Sequence, residues 1–467
     1  LVNATDIRSR LGVLLLAALV LTAAAWLRGA EYDEQYTLFL TAGTPRPAWP
    51  ETAFPAGAVA AVQAGHASLT GIVRDLRATD VHPPLYFWVA WGWRWVFGPS
   101  LFAARLLSVL FGLVSIWLVG IIAVRSGTRP AVAMLLTIGC YGFVYTSAIA
   151  RGFASAEMLT LSGVLLLLGR RPVLAGACLG AACCCNYLAV FAGVAVIAVT
   201  GAWLAIPASM PFLALDVWFF AAQHAARLGQ FAPFEVWPSM VRLVRYQVAA
   251  VFGGLPLYAD GAWRGVIEAG VALVTLALLA SMARARPRRW MLLAAVAATP
   301  VGLLLLGVVF NNTPIELRYL SFGLPFVALL AAGSLKPRLL AVILTVQAVS
   351  IAGLMVSPGT MQPARAAATA AANLGSDPIV LVPAGNDGVG IVGAFGIEAP
   401  PALLLLLIRP GDPIASRLAP YHRIALASLN QDRDSTEAVA ASRAVLTQPT
   451  WHRVAIGSNL EVYERAD

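Results

Sequence analysis

Four short stretches carry the side chains that can do chemistry. In "EYDEQYTLFL" (31–40), Glu31, Asp33 and Glu34 stand beside Tyr32 and Tyr36, just after the first apolar run. A carboxylate there can take a proton from a hydroxyl under attack, or it can be solvated charge at a helix end. In "DVHPPLYF" (80–87), Asp80 and His82 precede Pro83 and Pro84. The paired prolines keep the chain extended just before them. A carboxylate and an imidazole held on such a stub can bind substrate or share a divalent cation, Mg, Mn or Zn. The same prolines also suit the first turn of a helix. In "YTSAIARGFASAEML", Arg151 lies between two apolar runs. An arginine there needs an anion: either Asp33 or Glu34 in a structural pair, or a lipid phosphate gripped by its fork of donors. In "NNTPIELRYLSFGLPF" (311–326), Arg318 and Tyr319 repeat the theme, with Glu316 as the alternative partner of Arg318. Asn186 and Tyr187 are the weakest candidates, because tyrosine is ordinary in a membrane interface.

The elements that position these groups are membrane helices. Of the 467 residues, 59% are hydrophobic and 12% charged, and apolar runs of spanning length recur along the chain. Spans are expected at 11–27, 101–124, 130–149, 153–168, 172–187, 189–206, 208–222, 264–283, 290–309, 319–334 and 338–356. The first run has no small-residue cleavage site before Arg28 and is read as a retained span. Net charge is +9, carried by arginines and the single Lys336 scattered between apolar runs, which excludes a nucleic-acid-binding face. Cys140, Cys178, Cys183, Cys184 and Cys185 all fall inside apolar runs, without zinc-ligand spacing, and read as small core residues.

Basic clusters set the topology. Arg8 and Arg10, Arg125 and Arg129, Arg170 and Arg171, Arg284 to Arg289, and Lys336 with Arg338 fall on one side of about eleven helices. The positive-inside rule makes that side cytoplasmic. The count requires that "PPLYFWVAWGWRWVF" (83–97) stay in the interface, where its tryptophans are at home. Within the first outer loop, "SLTGIVRDLRATD" (68–80) has its apolar residues at helical spacing, with Ser68 as a cap. The chain is therefore read as an α-helical polytopic membrane protein, residues 1–356, whose outer loop 29–100 carries interfacial helices. A small extracytoplasmic α/β domain follows at 357–467. Its strands are expected in "PIVLVPAG" (378–385) and "HRVAIGSNLEVYER" (452–465), and "PALLLLLIRP" (401–410) is too short to span.

"YDE" after the first helix, "DVHPPLYF", "LFAARLLSVLFGLVSIWLV", "SAIARGFASAEML", "CNYLAVF" and "RYLSFGLPFVALL" occur in the order found in GT-C-fold glycosyltransferases. The resemblance is to bacterial relatives of protein O-mannosyltransferases and of aminoarabinose transferases, and it covers roughly residues 5–356. It implies transfer of a sugar from a polyprenyl-phosphate carrier to an envelope glycan, lipid or protein at the periplasmic face of a bacterial inner membrane, without a nucleotide cofactor. Asp33 matches the family's base or acceptor-binding aspartate, and Glu34 the glutamate that follows it. His82 matches the residue before the paired prolines. Arg151 and Arg318 match arginines near the donor phosphate, with Tyr319 beside the latter. One departure is plain: aminoarabinose transferases carry a second aspartate shortly after the third-motif arginine, where this chain has Gly152 and Phe153, and Glu157 lies deeper in the helix.

The residue types agree with that chemistry. A carboxylate must accept the acceptor hydroxyl's proton while cationic donors stabilise a leaving lipid phosphate. One carboxylate facing two arginines suffices for direct displacement, which inverts the anomeric carbon. The rivals are a polytopic transporter or flippase of a lipid-linked or anionic substrate, and a non-catalytic assembly subunit. No internal repeat and no GK[ST] loop is present.

Overall fold

A computed structural model describes residues 4–223, 232–253, 262–283, 290–356, 364–374, 378–384, 388–429, 433–457 and 459–466. The arginine cluster 284–289 and, within the expected loop 223–263, residues 224–231 and 254–261 lie outside the described residues; the middle of that expected loop is instead a helix, Val236–Phe252. Two compact units emerge. The first comprises Leu1–Trp26, Leu76–Ala90 and Phe102–Val356; the second comprises Leu27–Asp75, Trp91–Leu101 and Ser357–Asp467.

The first unit is helical. Among the described residues, five helices are long and apolar enough to cross a membrane: Ile7–Leu27, Leu101–Arg125, Ala205–Gln223, Trp290–Phe310 and Pro337–Met355. Their outward faces are apolar, with Leu15, Leu19, Val217, Leu305 and Val309 all exposed, as lipid-facing side chains should be. The segment 130–149, expected as one span, is two helices, Pro130–Gly139 and Tyr141–Ser147, bent by 74° at Cys140. The expected span 264–283 holds helix Ala262–Ala283, of 22 residues; the other expected spans hold shorter helices: Phe153–Leu168, Pro172–Cys183, Ala189–Thr200 and, behind a 3-10 opening at Leu317–Gly323, Leu324–Ala332. So the apolar runs are helical where the sequence puts them, but several fall short of a full crossing. Breaks in such helices are tolerable where protein covers the backbone. The turn at Cys184, Cys185 and Asn186 meets that condition, because all three residues are buried.

Helix Leu85–Phe97 has 13 residues. At 1.5 Å per residue it is about 20 Å long, too short to cross a core of about 30 Å. Helix Leu69–Thr79 precedes it, and the Ser68 hydroxyl accepts the Gly71 N–H at 3.0 Å, the expected cap.

The second unit is built on a six-stranded sheet. Its strands are β1 (Phe54–Pro55), β2 (Ile379–Pro383), β3 (Leu404–Ile408), β4 (Arg423–Ala427), β5 (Trp451–Ile456) and β6 (Leu460–Arg465), in spatial order β1-β3-β2-β4-β6-β5. The central trio β3-β2-β4 is parallel, and β5-β6 forms an antiparallel hairpin. Parallel strands need cover on both faces, which explains why "IVLVP" and "LLLLI" are continuous apolar runs. Val380, Val382, Leu405 and Leu407 pack on one side with Phe39 and Phe395; Ile379, Leu381, Leu406 and Ile408 pack on the other with Leu418 and Leu446. The first face is covered by helices from both ends of the chain, Tyr32–Ala42 and Gly57–Gln63 from the first loop, with Ala364–Ala372 and Gly388–Glu398 from the tail.

Helix Gly388–Glu398 makes that close packing possible. A Cβ at Gly390 would lie 2.7 Å from the Tyr32 carbonyl oxygen, and one at Gly393 would meet Phe39 and Gln35. Glycine is needed there because backbone of the neighbouring helix occupies the space a side chain would take.

Candidate active site

In the first unit, the stub ahead of the paired prolines is held on three sides. Asp80 Oδ1 lies 2.7 Å from His82 Nδ1 and accepts the Val81 N–H at 2.6 Å. The Arg151 guanidinium faces both residues. Its Nη1 is 3.7 Å from Asp80 Oδ2, and its Nη2 is 2.9 Å from His82 Nδ1 and 3.3 Å from Nε2. Near-equal distances to both ring nitrogens mean that this amino group is not aligned on one lone pair. Phe87 closes the other side, with the guanidinium carbon 5.7 Å from its ring centre. Arg151 is 2% exposed and Asp80 7%, while the His82 side chain keeps 19% exposure, so the imidazole is the part of the trio open to a ligand.

Burial by itself would raise the Asp80 carboxyl. The charges of Arg151 and His82, the His82 hydrogen bond and the Val81 N–H outweigh it, and Asp80 is held well below the ordinary carboxylate range. Asp80 is thus a fixed anion that orients a cation and an imidazole.

The local sequence explains this arrangement. Proline has no N–H, so the first N–H after the pair is that of Leu85, which donates to the Cys184 carbonyl at 2.9 Å. The break after helix Pro172–Cys183 thereby docks onto the start of helix Leu85–Phe97. At the far end of helix Ala205–Gln223, the Gln223 amide donates to the carbonyls of Leu76 and His82 at 3.0 and 2.9 Å. Its oxygen accepts the Tyr187 hydroxyl at 2.9 Å. Asn186 closes the turn before the next helix, its Oδ1 accepting the Leu188 N–H at 3.1 Å. Gln223 was not singled out by sequence reasoning; the available signal was a lone amide just past an apolar span.

Arg318 and Tyr319 belong to the same unit. Arg318 pairs with Glu316 at 2.6 Å, the alternative partner that the sequence offered. Its guanidinium also lies 5.5 Å from the Tyr319 ring centre. Phe153 stacks on Tyr319 and lies against Phe322, both at 6.2 Å between ring centres, so the segment after Arg151 packs on the segment after Arg318. Gly152 has no room for a side chain, because a Cβ would run into the Cys185 carbonyl. That packing accounts for the missing second aspartate. Glu157, one turn beyond Phe153, is 1% exposed, and its carboxyl has no hydrogen-bond partner among the described residues.

In the second unit, Asp33 and Glu34 open helix Tyr32–Ala42. They are not solvated loop charge: Asp33 is 8% exposed and Glu34 is 0% exposed. Glu34 Oε2 accepts the Glu31 N–H at 3.1 Å and completes a capping box. Two acids in the first turn also suit the positive end of the helix dipole. Glu31 is paired with Arg28. Glu398 takes the Ala30 N–H at 2.7 Å and binds Arg365 at 2.8 Å, which anchors the approach to this helix. Within the acidic cluster, Glu31 and Glu34 therefore have structural roles at the start of this helix.

The expectation of a divalent cation on Asp80 and His82 does not match this donor set. Among the described residues no three His, Cys, Asp or Glu side chains gather at one point, and the pair shares its space with a guanidinium. A dication would compete directly with Arg151, so the residues present do not fit a resident metal.

Together these features define a class: a polytopic helical membrane protein carrying a smaller sheet-based unit, with a buried anion–imidazole–guanidinium trio at a break between helices. No protein-family model matches the chain, and no curated protein does. Solved structures do. The crystal structure of ArnT from Cupriavidus metallidurans bound to undecaprenyl phosphate is 13% identical, with a TM-score of 0.50 over 99% of this chain and 98% of that one. The apo form of the same protein is 14% identical, with a TM-score of 0.49 over 97% of each chain. The chain therefore has the fold of ArnT, as its motif order suggested.

Proposed function

We propose that this protein is a membrane glycosyltransferase that moves a sugar from a polyprenyl-phosphate carrier to an envelope acceptor, with inversion at the anomeric carbon. The observation that carries this reading is the likeness in fold, over nearly the whole chain, to ArnT, solved with undecaprenyl phosphate bound. The site chemistry supports it. Arg151, buried and oriented by Asp80, is the cationic group suited to a leaving phosphate, with His82 as the more open donor beside it. Arg318 is a second phosphate ligand that must exchange Glu316 for the donor. Asp33 is the base that takes the acceptor proton. The distribution of basic clusters supports placing Arg151 and Arg318 at the extracytoplasmic face of the inner membrane, where a polyprenyl tail would stay in lipid while its phosphate meets the two guanidiniums.

The test is incubation of membranes with a radiolabelled polyprenyl-phosphate sugar, followed by isolation of the labelled product. Label in a lipid, glycan or protein that disappears with Asp33→Asn, at normal membrane insertion, supports the enzyme. No transfer by the wild type, or unchanged transfer by the variant, removes the reaction or the base respectively.

A transporter or flippase remains the second reading, favoured by one observation. Glu157 is a buried acid in an apolar helix, and such residues mark proton and ion pathways. Movement of a lipid-linked sugar across vesicles, abolished by Glu157→Gln, would establish it.

A further inference from the structure

We propose that Gln223, anchored by Tyr187, is a positioning residue that clamps the Asp80–His82 stub in its working geometry; this rests on the functional reading above. Gln223 is 1% exposed and closes the C-terminal end of helix Ala205–Gln223. Its amide nitrogen bridges two carbonyls that flank Asp80 in sequence, Leu76 at 3.0 Å on one side and His82 at 2.9 Å on the other. These contacts join residues 147 and 141 positions apart, so the clamp belongs to the tertiary fold and not to a local turn.

The chemistry of the amide is specific. A primary amide has two N–H donors on one atom and a carbonyl acceptor on the other. Here both donors are used on the stub, and the acceptor is used by the Tyr187 hydroxyl at 2.9 Å. The two carbonyls therefore decide which end of the amide faces the stub, and the Tyr187 hydroxyl, bonded to the other end, anchors the amide in that orientation. The reverse orientation would set an oxygen against two carbonyl oxygens and the Tyr187 hydroxyl against N–H groups. Phe220 holds the Tyr187 ring edge-on at 5.9 Å.

The stub is also fixed from beyond the prolines by the Leu85 N–H on the Cys184 carbonyl, at 2.9 Å. Cys184 and Tyr187 belong to one helix break, so that break acts on both ends of the segment Asp80–Leu85. What the clamp sets is the direction of the His82 ring and the Asp80 carboxylate toward Arg151. Neither Gln223 nor Tyr187 is assigned a contact with the donor. Their effect is exerted through His82 and Arg151.

Gln223→Glu tests this with almost no change of volume. A carboxylate offers no donor to the two carbonyls and repels both. Two measurements on the full-length protein in nanodiscs decide the matter. The first is hydrogen exchange across residues 76–85: wild-type protection is expected to fall by about tenfold or more in the variant, confined to that segment, with the thermal midpoint preserved. Unchanged exchange there, or loss of protection throughout the first unit, overturns the clamp. The second is titration with undecaprenyl phosphate. Gln223→Glu is expected to weaken binding by about 10- to 100-fold, the scale of an ångström-level misplacement. In a His82→Ala background it is expected to add almost nothing, because the group it positions is gone. An equal loss in both backgrounds makes Gln223 a general structural residue and overturns the proposal. Tyr187→Phe, which keeps the ring and removes the hydroxyl, is expected to move both measurements in the same direction by a smaller factor. Failure of the wild type to bind undecaprenyl phosphate overturns the functional reading alone, and the exchange result then decides the clamp by itself.

Discussion

Replacing Arg151 by methionine probes the buried trio most directly. Unit charges 3.7 Å apart, the Arg151–Asp80 separation, attract by about 4 kcal/mol at an effective dielectric of about 20. Both side chains are nearly fully buried, at 2% and 5% exposure, so solvent screening removes little of this. Arg151→Met also strands Asp80 with only the imidazole and one N–H for partners. Removing one member of a buried pair costs about 3–5 kcal/mol. For a unit of this size that is a fall in thermal midpoint of roughly 6–10 °C, read by tryptophan fluorescence in detergent. Adding Asp80→Asn to Arg151→Met is expected to recover most of the loss, since a neutral pair leaves no buried charge. Binding of undecaprenyl phosphate must not recover, because the guanidinium is the proposed phosphate ligand. A shift of less than about 2 °C in the single variant would refute the electrostatic argument. Lipid-phosphate binding by the double variant at wild-type strength would refute the assignment of Arg151 as the phosphate ligand.

Four further outcomes are expected. Asp33→Asn should lower sugar transfer by about 10²–10⁴-fold, the range of a lost general base, with the thermal midpoint unchanged; a loss below tenfold would point to another base. Glu316→Gln should leave donor binding intact or strengthen it, while Arg318→Met weakens it, because the 2.6 Å ion pair holds Arg318 away from the donor; parallel losses would make the pair purely structural. The Asp80 carboxyl, held below its ordinary range, contributes stability that is complete above an unfolded value of about 4 and lost only as pH falls through the lower folded value. Hydrogen-exchange protection across 76–85 should therefore not acquire an Asp80 titration between about pH 5 and 8; such a titration in a His82→Ala protein would contradict the pairing with Arg151. Gly390→Ala, which drives a methyl toward the Tyr32 carbonyl oxygen, should destabilise the second unit by about 1–3 kcal/mol in thermal unfolding, and a neutral result would mean that the two helices are not in close contact.

The legible parts of the molecule were those that local pattern controls. Runs of apolar residues specified helices because backbone polar groups in lipid must be bonded within the segment. "IVLVP" was legible as a strand, while "LLLLI" was legible only as a run too short to span, a buried strand or helix; its place in a parallel sheet covered on both faces made it a strand. Ser68 marked a cap, and Pro83 with Pro84 marked an extended stub before a short helix, since both effects act within a few residues. The residues Asp80, His82, Arg151 and Arg318 were visible as polar groups beside apolar runs, with a local partner legible only for Arg318, in Glu316.

Tertiary structure decided the partners. Arg151 could have paired with several acids, and it faces Asp80 and His82 because breaks between distant helices place them there, 69 positions from the imidazole. β1 joins the sheet beside β3, so the helices that begin with Tyr32 and Gly57 share a core with the tail. Gln223 gave no signal beyond its type, since its meaning lies wholly in two carbonyls more than a hundred residues away. Periodicity and capping depend on neighbours a few residues apart and can be read along the chain. The energy of a buried charge or amide depends on which distant groups the packing brings within about 3 Å, and only the folded path fixes that.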